Sequence, residues 1–334
     1  MATMQMCRQI PSLVFLSAAA FAQLADTGTA HKAAATALVN SNNSGAARLA
    51  CPATIGPLST ANPPGGGPPR AAGAPAPGPR PDPPKESWYA EGGQVFDNLY
   101  LLTTKTNSAW AVNTSAGIIL IDTLFGYAAQ DEIVDGLKKV GLDPANIKYI
   151  VVSHAHGDHD GSVKFLQDTY HPRIIMGPKD WELSARQANP PRRDMDATDG
   201  QKLTLGDTTI TIYITPGHTG GTLSVLVPVK DHGVPHLAME WGGTALSGAT
   251  SKEMLQSYIS NAGRFMDIAG GAGADVIIVN HTDYNDALAR FERTKNRKPG
   301  EPHPWVVGKS EVSNYLTVVQ ECAKSWLAIA DGRL

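Results

Sequence analysis

Apolar and polar positions alternate along most of the chain in short blocks that predict strands and helices in turn. Runs rich in β-branched and apolar residues, bounded by turn residues, predict strands. They cover residues 95–103, 109–113, 117–121, 147–153, 173–176, 208–215, 222–227, 235–240 and 275–279. Apolar residues at spacings of three and four predict helices over residues 128–140, 162–169, 283–295 and 312–329. This alternation predicts a layered α/β domain.

The first 85 residues lack this pattern. Arg8 precedes a short apolar run that ends in the small-x-small sequence Ala20-Phe21-Ala22, which predicts a cleaved secretory signal over residues 1–22 and a secreted or periplasmic protein. An unprocessed N-terminus is the alternative. Residues 23–85 are rich in Ala, Gly, Pro and Ser and cannot bury enough apolar surface to offset their chain entropy. We therefore predict a low-complexity, disordered segment there and a folded domain over residues 86–334.

Composition narrows the range of partners. The net charge of -3 and the absence of a basic run argue against nucleic acid as a partner. The apolar run near the N-terminus is too short to span a bilayer, so no membrane association is expected once a signal is removed. Cys51 and Cys322 could pair in an oxidising compartment. The preferred interpretation is that Cys322 is an unpaired, buried residue of a helix.

The sequence HAHGDH, residues 154–159, carries the candidate chemistry. It follows a predicted buried strand and precedes a predicted helix, which places it in a tight loop at the carboxyl end of a strand, where ligands bind in open α/β sheets. Three imidazoles and a carboxylate within six residues are costly to pack unless something binds them. Zinc binds imidazole nitrogen and carboxylate oxygen. The spacing therefore predicts a metal site.

Two further histidines follow predicted strands. His218 lies in the sequence PGHTGG after one strand, and His281 lies two positions past the end of the strand at residues 275–279. A single histidine in such a place is more often structural than a ligand. Both, however, are expected at the same edge of the sheet as the HAHGDH loop.

Together these motifs resemble the metallo-β-lactamase superfamily, from about residue 95 to residue 283. The resemblance implies a four-layer αβ/βα sandwich with two Zn²⁺ ions at the open edge of two facing sheets. It implies that one zinc is bound by His154, His156 and His218. It implies that the other is bound by Asp158, His159 and His281. Asp122, at a strand end, would orient a ligand histidine from behind; a helix N-cap or turn residue is the alternative for it.

One departure from the pattern narrows the expected function. Many superfamily members have an aspartate after a middle strand that bridges both metals. The matching stretch of this chain, residues 236–244, contains no aspartate; its only acidic residue is Glu240, a weak substitute. The arrangement is similar to subclass B3 metallo-β-lactamases. It implies a hydrolase in which a zinc-bound hydroxide, oriented by Asp158 as a catalytic residue, attacks the carbonyl of a small-molecule β-lactam or related cyclic amide. The alternatives are a lactonase or thioesterase of the same superfamily and a non-catalytic zinc-binding protein.

Five aromatic residues are candidates for the rim of a substrate pocket. They are Phe125, Tyr127, Trp181, Trp241 and Tyr284. Because large aromatic side chains are commonly buried, we expect each to be a core or surface residue more often than a substrate contact.

Overall fold

The structure, a computed structural model, describes residues 25–56 and 81–334. The predicted signal, residues 1–22, lies outside these ranges, as do residues 57–80 of the predicted low-complexity segment. Within the described ranges, no helix has both the length and the apolar character needed to cross a bilayer.

The first sheet contains seven strands that follow one another in sequence order. They are β1 (Gly93–Phe96), β2 (Leu99–Thr103), β3 (Ser108–Thr114), β4 (Gly117–Ile121), β5 (Ile147–Val151), β6 (Arg173–Met176) and β7 (Met195–Asp196). Strands β1 to β4 pair antiparallel, and β4 to β7 pair parallel. The single strand predicted over residues 95–103 is two strands, because Asp97 and Asn98 form a turn between β1 and β2.

The second sheet contains five strands in the order β12-β11-β10-β9-β8. They are β8 (Gln201–Leu205), β9 (Thr208–Ile214), β10 (Leu223–Asp231), β11 (Val234–Glu240) and β12 (Val276–Ile278). Strands β8 to β11 are antiparallel, and β12 lies parallel to β11. Short turns join β8 to β9 and β10 to β11, and a longer loop, residues 215–222, joins β9 to β10. The parallel pair needs a long crossover, which is helical here.

Nine α-helices are present among the described residues. They are α1 (Gly28–Ala37), α2 (Ser44–Ala50), α3 (Lys85–Trp88), α4 (Asp135–Lys139), α5 (Val163–Tyr170), α6 (Pro178–Ser184), α7 (Lys252–Ala272), α8 (Ala287–Lys295) and α9 (Lys309–Ala330). The helix predicted over residues 128–140 is a π-helical stretch, Ala129–Val134, that continues into α4.

Strand β4 shows why the domain has four layers. Its side chains alternate between the two faces of the first sheet, and both faces are buried. Ile119 and Ile121 pack in the core between the sheets, whereas Ile118 and Leu120 pack with Leu137 of α4 on the outer face. Helices α7 and α9 cover the outer face of the second sheet. The predicted αβ/βα sandwich is therefore confirmed.

Helix α7 is the largest element that the sequence pattern did not predict. Its buried residues lie at helical spacings of three and four and are Leu255, Tyr258, Ala262, Phe265 and Ala269. The signal was weak because the segment contains several glycines, each of which lowers helix propensity by about 1 kcal/mol relative to alanine. The Ser251 hydroxyl accepts a hydrogen bond from the Met254 N–H and marks the start of the helix.

The N-terminal segment corrects two predictions. The disorder predicted for residues 23–85 is wrong for residues 25–56, where α1 and α2 pack against α9. Their small alanines fit closely against the larger helix, and Cys51 forms a disulfide with Cys322 of α9, with a Cα–Cα distance of 4.3 Å. The interpretation of Cys322 as an unpaired residue is therefore also wrong. A crosslink between distant parts of the chain offsets the chain entropy that made disorder the expected state.

The buried carboxyl group of Glu132, in the π-helical stretch, should make the free energy of unfolding depend on pH. The side chain is 3% exposed, and burial raises its pKa from 4.5 to about 8. Because the folded pKa is raised, the stability it contributes is fully present below about pH 4.5 and is lost as the pH rises through 8. Glu132→Gln, which mimics the protonated form, should raise the free energy of unfolding at pH 8 by on the order of 3 kcal/mol.

Chemical denaturation between pH 4.5 and pH 8.5 would test this prediction. The difference between Glu132→Gln and the wild type should grow with pH across that interval. Glu182→Gln, at a half-exposed position on α6, is the control and should follow the wild-type profile. Parallel pH profiles for the wild type and Glu132→Gln would contradict the assignment.

Candidate metal centre

The six predicted ligands lie in three loops, and each loop leaves the carboxyl end of a strand. The HAHGDH loop joins β5 to α5, His218 lies in the loop after β9, and His281 follows β12. Asp122 directly follows β4 at the same edge. These strands belong to both sheets, so the edge at which the sheets face each other collects side chains that are distant in sequence.

The structure brings the six side chains together in two groups of three. The first ligand group is His154, His156 and His218. The second ligand group is Asp158, His159 and His281. Within each group the potential ligand atoms all lie within 4.8 Å of one another, and these are the groups that the resemblance implied.

The first ligand group is arranged as a metal would require. His154 and His218 use Nδ1–H to donate to the carbonyl oxygens of Gly242 and Ala245, at 2.8 and 2.7 Å. Nε2 of each ring therefore carries a lone pair. His218 Nε2 lies 3.1 Å from His156 Nδ1. Burial lowers the pKa of His154 well below its ordinary value and that of His218 to about 4, so both rings are neutral at pH 7, as ligands must be.

The second ligand group is organised around a fully buried histidine. His159 Nδ1 lies 2.9 Å from Asp122 Oδ2, and His159 Nε2 lies 3.1 Å from His281 Nε2. Asp158 Oδ2 lies 3.2 Å from His159 Nε2 and 3.3 Å from His281 Nε2. Nitrogen and oxygen atoms from three side chains thus converge on one point, which is the donor set that Zn²⁺ prefers.

Opposite pKa shifts accompany this arrangement. Burial lowers the pKa of His159, but the carboxylates of Asp122 and Asp158 together outweigh burial and raise the pKa to about 10. Burial, followed by the positive charge of His159, lowers the pKa of His281 to about 3. Asp158 is subject to burial, which raises its pKa, and to the hydrogen bond with His159, which brings the pKa below its ordinary value. Asp158 is therefore an anion across the neutral range.

Hydrogen bonds fix the carboxylate of Asp122 next to His159 of the second ligand group. Its carboxylate accepts hydrogen bonds from Ser153 N–H at 2.6 Å and from Ser153 Oγ–H at 2.7 Å, in addition to its contact with His159. Its backbone is in the left-handed region, with φ of 59°. The carboxylate contacts the HAHGDH loop and a ligand ring, and it does not cap a helix. This is the geometry expected of a residue that orients a ligand histidine.

Glu240 lies outside both ligand groups. Its side chain is 1% exposed, and neither carboxylate oxygen has a hydrogen-bond partner among the described residues. Burial, followed by the nearby charge of Asp122, raises its pKa well above the ordinary value. A protonated, neutral Glu240 is the form that a buried position without partners favours. Each group consequently has three candidate ligands, and no carboxylate side chain is shared between the two groups.

The aromatic candidates divide into two sets. Trp181, Trp241 and Tyr284 are at most 3% exposed and belong to the core, as expected for large aromatic side chains. Phe125 and Tyr127 are half-buried and stack with ring centroids 4.9 Å apart. Only these two offer exposed ring surface near the strand end that carries Asp122.

Sequence reasoning missed two polar residues of the site. Asn107 is 1% exposed and its Nδ2–H donates to Asp158 Oδ2 at 2.9 Å. Asp180 on α6 is equally buried and accepts hydrogen bonds from two of the ligand loops. Both are isolated in the sequence, and neither stands in a motif that would have singled it out.

Comparison with known proteins agrees with this geometry. Residues 102–234 match the metallo-β-lactamase superfamily. In this match and in its fold, the chain is similar to the metallo-β-lactamase superfamily. It is similar to BJP-1, a subclass B3 metallo-β-lactamase of Bradyrhizobium japonicum, with 25% identity, a TM-score of 0.58 and coverage of 70% of this chain and 91% of that one.

Other relatives give a broader picture. A class B3 di-zinc metallo-β-lactamase from an Alaskan soil metagenome shares the fold, with a TM-score of 0.61, 18% identity and coverage of 75% of this chain and 98% of that one. The N-acyl homoserine lactonase AttM of Agrobacterium fabrum is 33% identical over 112 residues, which are 28% of this chain and 41% of that protein. The lactamase-like protein adaB of Aspergillus niger is 30% identical over 164 residues, 48% of this chain and 46% of that protein. The chain thus spans less than half of these two curated relatives.

Proposed function

We propose that the chain is a dinuclear zinc hydrolase that opens β-lactams or related cyclic amides, as a B3-type enzyme. The observation that carries this proposal is the pair of three-ligand groups with no carboxylate side chain between them. The match to nearly the whole length of a subclass B3 enzyme supports it. A secreted or periplasmic location is part of the proposal, and the Cys51–Cys322 disulfide supports an oxidising compartment.

The residues present fit two zinc ions. His154, His156 and His218 would hold one, and Asp158, His159 and His281 the other, with each histidine neutral when it binds. When bound, zinc supplies Lewis acidity and makes water acidic enough to act as a nucleophile near neutral pH. Three protein ligands for each ion leave coordination positions free, which distinguishes a catalytic zinc site from a structural one.

The surrounding residues have definite tasks in such a reaction. Asp158 is anionic and can accept a hydrogen bond from the attacking water, which orients it. Asn107 donates to Asp158 Oδ2 and keeps that carboxylate turned toward His159 and His281. The carbonyl oxygens of Gly242 and Ala245 fix the orientation of two ligand rings.

A lactonase is the second candidate, and the similarity to AttM favours it. The absence of a shared carboxylate side chain in the two ligand groups counts against it, because the resemblance places a bridging aspartate in lactonases and thioesterases. A non-catalytic zinc-binding protein is the third candidate. Three ligands per group, with open positions, count against it.

Hydrolysis assays with the zinc-loaded protein would separate the three candidates. We expect turnover of a chromogenic cephalosporin that a chelator abolishes and added zinc restores. Turnover of an acyl homoserine lactone or a thioester without cephalosporin turnover would overturn the proposal in favour of the second candidate. Two bound zinc ions without activity on any amide, lactone or thioester would favour the third.

A further inference from the structure

The first ligand group depends on two loops that come from different sheets. His154 and His156 lie in the loop after β5, whereas His218 lies in the loop after β9. A shared metal site requires these loops to stay at a fixed separation. At the base of the loops, Leu223 N–H donates to Ser153 O at 2.7 Å. At the metal edge, the direct contact is His218 Nε2 facing His156 Nδ1 at 3.1 Å, and two imidazole nitrogens do not hold that separation by themselves unless a proton or a cation lies between them.

Asp180, on α6, forms hydrogen bonds with both of these loops. Its Oδ2 accepts a hydrogen bond from Ala155 N–H, between the two ligand histidines, at 2.8 Å. The same oxygen accepts from Thr219 Oγ1–H, on the residue after His218, at 2.8 Å. Its Oδ1 accepts from Gly221 N–H at 2.8 Å. All three donors belong to the two loops, and none of these hydrogen bonds involves a side-chain atom of a candidate ligand.

Glycine allows the close approach that this bridge needs. A Cβ atom at residue 221 would lie 2.5 Å from Asp180 N and 2.8 Å from Asp180 Oδ1. A Cβ atom at residue 177, just before α6, would lie 2.0 Å from the carbonyl oxygen of Gly221. The loop after β9 is thus seated directly on the beginning of α6. That loop is also internally tied, because Thr219 N–H donates to Thr222 Oγ1 and Gly217 N–H donates to Thr219 O.

We propose that Asp180 is a positioning residue for the first ligand group: its carboxylate sets the separation of the loops that carry His154, His156 and His218. This inference rests on the proposed function only in taking these histidines as zinc ligands. The second ligand group has its own buried carboxylate, Asp122, and none of the hydrogen bonds that the Asp180 carboxylate accepts comes from that group. Loss of the Asp180 bridge should therefore weaken one zinc site and spare the other.

Asp180→Asn is the first test. An amide NH2 cannot accept a hydrogen bond, so the variant leaves a loop N–H unpaired while keeping the side-chain volume. We expect the zinc dissociation constant of the first site to rise 10- to 100-fold and that of the second site to stay within about twofold. Titration of the metal-free protein with zinc would measure both constants, and the absorption of bound Co²⁺ would report the changed geometry of the first site.

Thr219→Val is the second variant and removes one hydrogen bond to Asp180, together with the contact between Thr219 Oγ1 and Thr222 Oγ1 within the loop after β9. It should shift the first site in the same direction by a smaller factor, and it keeps the test decisive if Asp180→Asn does not fold. Asp194→Asn is the matched control, since its carboxylate is partly buried and accepts from Arg173 Nε–H and Ile174 N–H, away from the ligand loops. It should leave both zinc constants unchanged.

Two outcomes would overturn the inference. One is equal weakening of both sites together with a lower unfolding temperature of the metal-free protein, which would mean a general structural role. The other is unchanged affinity at both sites in Thr219→Val and Asp180→Asn. The titration uses no substrate, so a wild type that binds two zinc ions without opening β-lactams would refute the proposed substrate and leave the role of Asp180 standing.

Discussion

Replacing His156 with alanine should lower turnover by about a thousandfold or more and leave one zinc ion per chain. His156 supplies one of three ligands in the first ligand group, and the remaining two cannot hold zinc tightly in competition with water. Loss of the Lewis acid removes several kcal/mol of transition-state stabilisation, and about 4 kcal/mol corresponds to a thousandfold in rate.

Because His156 is exposed, the effect of its loss on zinc binding can be separated from any effect on folding. The residue is exposed, in contrast to the buried His154 and His159, so its truncation should cost little folding free energy. Metal content by atomic emission and initial rates should fall together, while the thermal unfolding of the metal-free protein stays close to wild type. His232→Asn, at an exposed turn far from the site, is the control. A His156→Ala protein with wild-type rate and two zinc ions would disprove the assignment of the first ligand group.

Asp122→Asn should produce the second-largest effect, a loss of 10- to 100-fold in zinc affinity at the second site with a comparable loss in rate. The carboxylate of Asp122 accepts a hydrogen bond from the Nδ1–H of His159 and so orients the ring. Asparagine retains one acceptor oxygen and cannot serve both Ser153 and His159 as the carboxylate does. No member of the first ligand group is hydrogen-bonded to Asp122 directly. The link through Ser153 Oγ, which lies 3.2 Å from His154 Nδ1, is indirect, so the zinc affinity of the first site should fall much less than that of the second.

Comparing Asp122→Asn with Asp122→Ala separates the effect of the lost charge from the effect of backbone strain at this position. Asp122 is in the left-handed region, which asparagine adopts nearly as readily as aspartate and alanine does not. Asp122→Ala should therefore lose about 1 kcal/mol more folding free energy than Asp122→Asn. Its deficit in second-site zinc binding should be at least as large, because alanine has no acceptor oxygen for His159. Second-site affinity equal to wild type in Asp122→Asn would show that His159 is oriented by other groups.

The parts of the molecule that could be predicted share one property, namely short sequence separation. The HAHGDH loop concentrates four potential ligands in six residues, and the flanking strand and helix are read from local periodicity. His218 and His281 could be added because each follows a buried strand, which places it at a known edge of an α/β sheet. The layered fold followed from the same strand pattern and is confirmed.

The parts that could not be predicted depend on contacts between distant residues. Asn107 and Asp180 become part of the site only after the strands and α6 have packed, and a single Asn or Asp in a loop or helix carries no periodic signal. The helices of residues 25–56 are marginal as isolated segments, since short helices owe their stability to tertiary packing. Their composition therefore predicted disorder, while α9 supplies the surface on which they fold.

The disulfide between Cys51 and Cys322 joins residues 271 positions apart and fastens α2 to α9. Trp326 Nε1–H donates to Ala50 O beside it, at 2.8 Å. A backbone cut anywhere between residues 56 and 81 would consequently yield a two-chain molecule in which the shorter chain remains covalently attached. Such a nicked protein would migrate as one species without reductant and as two fragments with it.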